Sequence, residues 1–210
     1  MKNEKDTSFY YPNRLGRILL QAMEEVIGRN GVIAVLRMAK LRHRINNYPK
    51  NTLEKNFSFE EVSQIQTALE ANYGLRGGRG LALRIGRGSF KHILHEFGPE
   101  MAFSDLVKRP LPLDKKIHLT VEILANVFNK YSDQQIVVSE SVKEYFWTID
   151  RCPFCWQLET EDPLCLQLVG LLQEALYWVS NGKFYNIEEI NCIAKGDKAC
   201  LIVIDKLPLD

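Results

Sequence analysis

Cys165, Glu189, Cys192 and Cys200 carry the ligand types of a thiolate-rich metal site near the C-terminal end of this 210-residue chain. Cys192 and Cys200 sit symmetrically about Gly196, and Gly196-Asp197 is a turn signal. A hairpin centred there places the two cysteines opposite each other on paired strands, with Cβ atoms about 4.5–5.5 Å apart. Two thiolates at that spacing can grip one zinc ion, which takes sulfur and nitrogen ligands in a tetrahedral array. Glu189 lies three residues before Cys192, so a regular strand points the two to opposite faces. Either a bulge re-aims Glu189, or Glu188 is the partner at even spacing. Cys165 follows Pro163-Leu164 at the expected first turn of a helix, where the positive helix end lowers a thiol's pKa. The same residues also read as inert buried thiols or, for Cys192 and Cys200, as a cross-strand disulfide.

A further pair, Cys152-Pro-Phe-Cys155, follows an expected strand. Its spacing suits a second metal clasp, a contribution to the first site, inert packing or a redox disulfide. The βαβ context of a redox pair is missing. Gly74-Leu-Arg-Gly-Gly-Arg-Gly80, continuing through Arg84, Arg87 and Lys91, invites a phosphate reading, but it lacks the Gly-Lys-Ser/Thr ending of a phosphate loop. A loop needing positive φ, followed by a helix whose glycines allow close packing, is preferred. His43, His92 and His95 fall on helices among basic residues and read as surface or packing groups. His118, beside the apolar face of its helix, and Trp147, with one N–H donor in Tyr-Phe-Trp-Thr-Ile, could each turn a polar nitrogen into a ligand cavity. No Ser/His/Asp set, paired-carboxylate site or zinc-hydrolase motif appears, so nothing in the sequence argues for catalysis.

These residues need elements to position them. Apolar positions from Leu15 to Ile27 recur at helical spacing, with Gly28 and Gly31 as the stop and a second helix running toward Tyr48-Pro49. Ser58-Phe-Glu-Glu61 is a capping-box pattern opening a third helix that ends at Tyr73-Gly74. Further helices are expected over about 79–96 and 113–131. β-Branched and aromatic residues then predict strands over 135–139 and 142–149, a helix over 164–179, and a closing hairpin over 184–193 and 199–204. The fold class is α+β: N-terminal helices, here a helical extension over 1–112, followed by a β-β-α-β-β unit with an antiparallel sheet over 113–207, together one domain. Residues 1–12 read as polar and loosely ordered.

The chain is 46% hydrophobic with a net charge of +1, enough apolar content for a sizeable core and no global attraction to nucleic acid. No apolar run approaches the roughly 20 residues that span a bilayer. The start, Met-Lys-Asn-Glu-Lys-Asp, does not read as a secretory signal, and five cysteines, an odd number, suit a reducing cytosol.

The run Cys152-Pro-Phe-Cys155-Trp, with Pro163-Leu-Cys165, Gly170-Leu-Leu-Gln-Glu-Ala-Leu, Glu189-Ile-Asn-Cys192 and Gly196-Asp-Lys-Ala-Cys200, resembles the 4-vinyl-reductase-like (hydrocarbon-binding) domain over about residues 142–206. That domain occurs in bacteriochlorophyll-pathway proteins, in sensory parts of phenol-responsive activators and in stand-alone proteins. Its fold is related to a vesicle-tethering (TRAPP) component and to haem-based nitric-oxide sensors. The resemblance implies a structural zinc held by Cys165, Glu189, Cys192 and Cys200, favouring Glu189 over Glu188. It also implies a cytoplasmic protein, a homodimer, that binds a small hydrophobic or aromatic ligand, with His118 and Trp147 in roughly the pocket regions. The alternatives it raises are reduction of a tetrapyrrole vinyl group, carriage of a pigment precursor, and a dimeric interaction scaffold.

Overall fold

The computed structural model describes residues 8–101 and 103–209, so the expectation for residues 1–7 lies outside the described residues. Residues 10–12, expected to be loose, instead form a strand, β1 (Tyr10–Pro12), which leads into helix α1 (Asn13–Met38). Gly28 interrupts α1 with φ 69° and ψ 165°, a conformation that favours glycine, so the expected break falls where the sequence places it. The second limb stops earlier than expected, at Met38, and a 3-10 turn follows at Arg42–Arg44.

Strand β2 (Lys55–Ser58) pairs antiparallel with β1, and helix α2 (Phe59–Met101) begins directly after it. Ser58 makes the capping box: its hydroxyl accepts from the Glu61 N–H at 3.1 Å, while its own N–H donates to the Glu61 carboxylate at 2.9 Å. Gly74, at φ 73°, bends α2. The expected loop from Gly74 to Gly80 is otherwise helical, because only this one glycine needs the left-handed region. Helices α3 (Phe103–Lys108) and α4 (Leu113–Tyr131) complete the first half.

A four-stranded antiparallel sheet follows, with strands β3 (Gln135–Glu140), β4 (Glu144–Arg151), β5 (Tyr185–Asn191) and β6 (Cys200–Pro208) in the order β3-β4-β6-β5. Helix α5 (Leu166–Val179) crosses from β4 to β5. Tyr145, Trp147 and Ile149 alternate into the core from β4, the period-2 pattern of a half-buried strand. One hydrophobic core joins α1, α2, α4, α5 and the sheet, so the helical first half and the sheet share their interior. The fold is α+β with antiparallel sheets. Among the described residues no helix is long and apolar enough to cross a membrane.

Helices α2 and α5 meet at two glycines. A Cβ on Gly86 would collide with the carbonyl oxygen of Gln167, and one on Gly170 with that of Leu83. Backbone therefore touches backbone there, the close packing that the glycine-rich helix suggested. We expect Gly86→Ala and Gly170→Ala each to destabilise the fold by about 2 kcal/mol or more, since a backbone cannot yield as a side chain does. Gly80→Ala, on the same helix with open space around it, should instead raise stability by about 0.5–1 kcal/mol. Chemical denaturation of the three variants checks this, and equal midpoints for Gly80→Ala and Gly86→Ala would sink the contact.

Candidate functional site

The sheet and α5 bring distant cysteines together. Cys152 and Cys155 occupy the turn leaving β4, and Cys165 is the residue that caps the start of α5. Cys192 follows β5, and Cys200 opens β6, where it pairs with Ile149 of β4. All five are buried and unlinked. The Cys152 and Cys165 sulfurs lie 3.2 Å apart, those of Cys155 and Cys200 3.4 Å, and those of Cys165 and Cys200 3.7 Å.

The expected tight hairpin is corrected. The β5–β6 ladder ends at Asn191 and Leu201, so Cys192 and Cys200 are not cross-strand partners. Between them lie a 3-10 turn, Ile193–Lys195, and Gly196 at φ 95°. Asp197 shapes this knuckle by accepting from the Cys192 N–H at 2.8 Å, while the Ile193 N–H donates to the Cys200 sulfur at 3.3 Å. A side chain that bonds its own loop needs more residues than a two-residue turn supplies, which is why the Gly-Asp signal misleads.

Glu189 is brought to the cluster as the sequence required. The β5–β6 register shifts between Glu189 and Asn191, the irregularity that lets residues 189 and 192 share a face. Its Oε2 accepts from the Cys165 N–H at 2.7 Å, and its Oε1 is buried without a partner. Two sets could each hold a metal ion: Cys165, Glu189, Cys192 and Cys200, and also Cys152, Cys155, Cys165 and Cys200, with the ligand atoms of each set all within 4.8 Å of one another. The first is the sequence-expected set. The second was legible only as a loose pair, since sequence could not show that the Cys152 turn meets α5.

Burial dominates the electrostatics. It pushes the Cys152 thiol up to about 11 and the Cys165 thiol well above the ordinary range. Contacts with Cys152 and Cys155 push Cys200 up, whereas S–H donation from Cys152 and its neighbours holds Cys155 down. Glu189 is raised by desolvation. Without a cation the cluster resists carrying several negative charges at once, because buried charge has nothing there to offset it.

Beside the cluster lies a small apolar cavity of about 40 Å³. Phe154, between the two cysteines of the β4 turn, forms one wall. Gln167 and Leu168, in the first turn of α5, form another, and Leu15, Ile93 and Phe128 are among the residues that close it. Gln167 is buried; its amide N–H donates to Gln66 at 3.1 Å, and its carboxamide oxygen has no partner. Tyr11, also on the wall, donates to Gln134 at 2.9 Å.

His118 and Trp147 do not share this cavity. His118 lines an open cleft with Tyr145 and Lys206, next to Glu122 at 3.3 Å and Glu140 at 3.8 Å. Trp147 is fully buried behind Phe128, and its indole N–H has no partner. They separate because His118 faces the rim of α4 where the Glu140 end of β3 meets solvent, while Trp147 points inward from mid-strand. The other histidines pair with carboxylates at the surface: His43 with Glu61, His92 with Glu25 and His95 with Glu96. Gln167 was missed by sequence reading; a lone glutamine on an otherwise apolar helix stripe was the available signal.

No family model matches this chain. A 66-residue stretch is 32% identical to an uncharacterized protein of Methanocaldococcus jannaschii, and the match spans 31% of this chain and 36% of that protein. Solved structures similar in fold are H-NOX proteins. One, from S. oneidensis in its Fe(II)NO state, has a TM-score of 0.58 at 13% identity, covering 92% of this chain and 99% of that one. Another, the unliganded Fe(II) protein from K. algicida, has a TM-score of 0.57 at 15% identity, covering 95% and 97%. At such identities the likeness shows the fold alone, an α+β arrangement.

A third such structure comes from work on heme distortion in the H-NOX family, so haem is the group this fold brings to mind. The residues here do not fit it. The apolar cavity beside the thiol cluster is about 40 Å³, against roughly 300–1,000 Å³ for ordinary small-molecule pockets, and none of the four histidines lines it; the larger cleft that His118 lines, about 590 Å³, is open and bordered by the charged Asp114, Lys115, Glu140 and Lys206. Beside that cavity Gly86 and Gly170 bring α2 and α5 into backbone contact, which leaves no room between these helices for a large planar group.

The thiol arrangement predicts a pH signature for metal-free protein. Cys152 is raised from 9.0 to about 11, so its contribution to stability is complete below pH 9 and is lost as pH rises through about 11. A cation held by the set that contains Cys152 takes the place of that proton, so protein loaded there should lack this alkaline loss. Melting curves from pH 7 to 11 with and without chelator check it; superimposable pH profiles would count against the reading.

Proposed function

We propose that this chain is a small-molecule-sensing domain in which a structural zinc ion, held by Cys165, Glu189, Cys192 and Cys200, fixes the wall of an apolar ligand cavity. The observation that carries this reading is the shared wall. The turn bearing Cys152 and Cys155 also presents Phe154 to the cavity, and the helix end bearing Cys165 also presents Gln167 and Leu168. Any cation that sets the position of these backbone segments sets the cavity's shape. The zinc role is structural because four protein ligands leave no open position for water or substrate.

Glu189 Oε1 supports the metal. A buried carboxylate oxygen without a donor is costly, and coordination is a natural remedy. The sensor reading is supported by the H-NOX-like fold and by the chemistry of the cavity: apolar walls with one unpartnered acceptor, Gln167 Oε1. Its volume suits a ligand of a few heavy atoms that donates one hydrogen bond. A benzene-sized ring needs on the order of 150 Å³, so an aromatic ligand requires the walls to part. His118 takes no part in this site, since its imidazole lies in the open cleft among carboxylates.

Zinc content and Cys192→Ser test the metal. The variant should lose a metal ion and melt at least several degrees lower; unchanged metal content and melting temperature would refute the staple. The cavity is tested separately by titrating isotope-labelled protein with small alcohols and with phenol. The Gln167 side-chain amide should shift, and Leu171→Phe, which fills the cavity, should weaken binding about tenfold or more. Equal affinities for the filled variant would place the ligand elsewhere.

A further inference from the structure

The two candidate ligand sets are not alternatives drawn from separate regions. They share one edge, the pair Cys165 and Cys200, whose sulfurs lie 3.7 Å apart. A zinc–thiolate bond of about 2.3 Å makes the edge of a regular sulfur tetrahedron about 3.8 Å. The shared pair has that length, and the two other sulfur pairs, at 3.2 and 3.4 Å, join it to Cys152 and Cys155.

We infer that this centre holds two divalent zinc-class cations side by side, bridged by the thiolates of Cys165 and Cys200. Cys152 and Cys155 complete the tetrahedron of one cation, and Cys192 and Glu189 complete that of the other. The second position rests on the metal reading proposed above and extends it.

Ligand accounting favours two ions over one. A single ion in the Glu189 set leaves Cys152 and Cys155, both buried, with their sulfurs pressed against coordinated thiolates. A single ion in the all-cysteine set leaves Cys192 buried beside it and Glu189 Oε1 without a partner. Two ions employ every cysteine of the chain and that oxygen. Charge is also manageable. Five thiolates and one carboxylate carry six negative charges against four positive, and the excess faces the N-terminus of α5 and the Ile193 N–H donated to Cys200. An iron–sulfur cluster fits less well, because its inorganic sulfides must sit between irons whose terminal thiolates stand apart, whereas these sulfurs are in contact.

The test uses the full chain, purified anaerobically with a phosphine reductant and loaded with zinc, then read by native mass spectrometry and elemental analysis. Unsubstituted protein should carry two zinc ions per chain, and Cys152→Ser/Cys155→Ser should carry one. A cobalt-loaded form of the unsubstituted chain gives an independent readout: two cobalt ions coupled through bridging sulfurs have a lowered magnetic moment, and X-ray absorption shows a metal–metal distance. One zinc per chain, unchanged in the double variant, overturns the second position while leaving the staple in place. One uncoupled cobalt overturns it even where the double variant fails to fold. A chain that takes up no metal overturns both readings together.

Discussion

Five buried thiols and a buried carboxylate crowd into a space in which they cannot all ionise, and this crowding is the constraint on which the structure turns. Cysteine alone is unremarkable in a core, where it packs as a small hydrophobe. Glu189 is different. Half-buried beside the cysteines, it has one oxygen satisfied by the Cys165 N–H and the other, itself buried, by nothing. Inert packing accounts for four sulfurs in contact and a fifth nearby, but not for a carboxylate drawn in among them. A cation accounts for both, since it favours the charged form of each donor at once. That is the physical reason for preferring metal over inert thiols.

The topology exists to meet this constraint at one corner. The register of β4 on β6 places Cys200 opposite Ile149, just before the β4 turn that carries Cys152 and Cys155. The crossover helix then starts beside them with Cys165, and the bulge in β5 returns Glu189 and Cys192 to the same side. Four element ends, each simple alone, converge because the antiparallel ladder fixes their positions. On the far side of α5 the glycine pair Gly86 and Gly170 holds the helix against α2, so the corner cannot relax by tilting the helix away.

Periodic features were readable before any coordinates. The α4 stripe, the Ser58–Glu61 capping box and the breaks at Gly28 and Gly74 are local, each set by a few neighbouring residues, and all appear where expected. The ligand set Cys165, Glu189, Cys192 and Cys200 was named from ligand chemistry and resemblance, and the structure gathers those residues together. What stayed hidden depends on tertiary contact. The β1–β2 pair is too short to show alternation. The Cys192–Cys200 knuckle is shaped by a side-chain bond from Asp197 that mimics a turn signal without obeying it. His118 and Trp147 were paired because both lie near apolar faces, yet depth from the surface, which sequence does not encode, puts one at the rim and the other in the core.

The fold shared with H-NOX proteins is thus filled in another way. In this chain the helical half closes on the sheet half through backbone contact at Gly86 and Gly170 and through a bed of aromatic and aliphatic side chains. The apolar space left beside α5 is small and borders the thiol cluster, while His118 lines a separate open cleft. In the sensing role proposed above, occupancy must become displacement, and in so small a cavity any ligand of more than a few heavy atoms must push a wall. The walls here are Phe154 and the first turn of α5, which are also the segments that carry Cys152, Cys155 and Cys165. Occupancy of the cavity and geometry of the thiol centre are therefore two ends of one mechanical element, and whichever is altered first must be felt at the other.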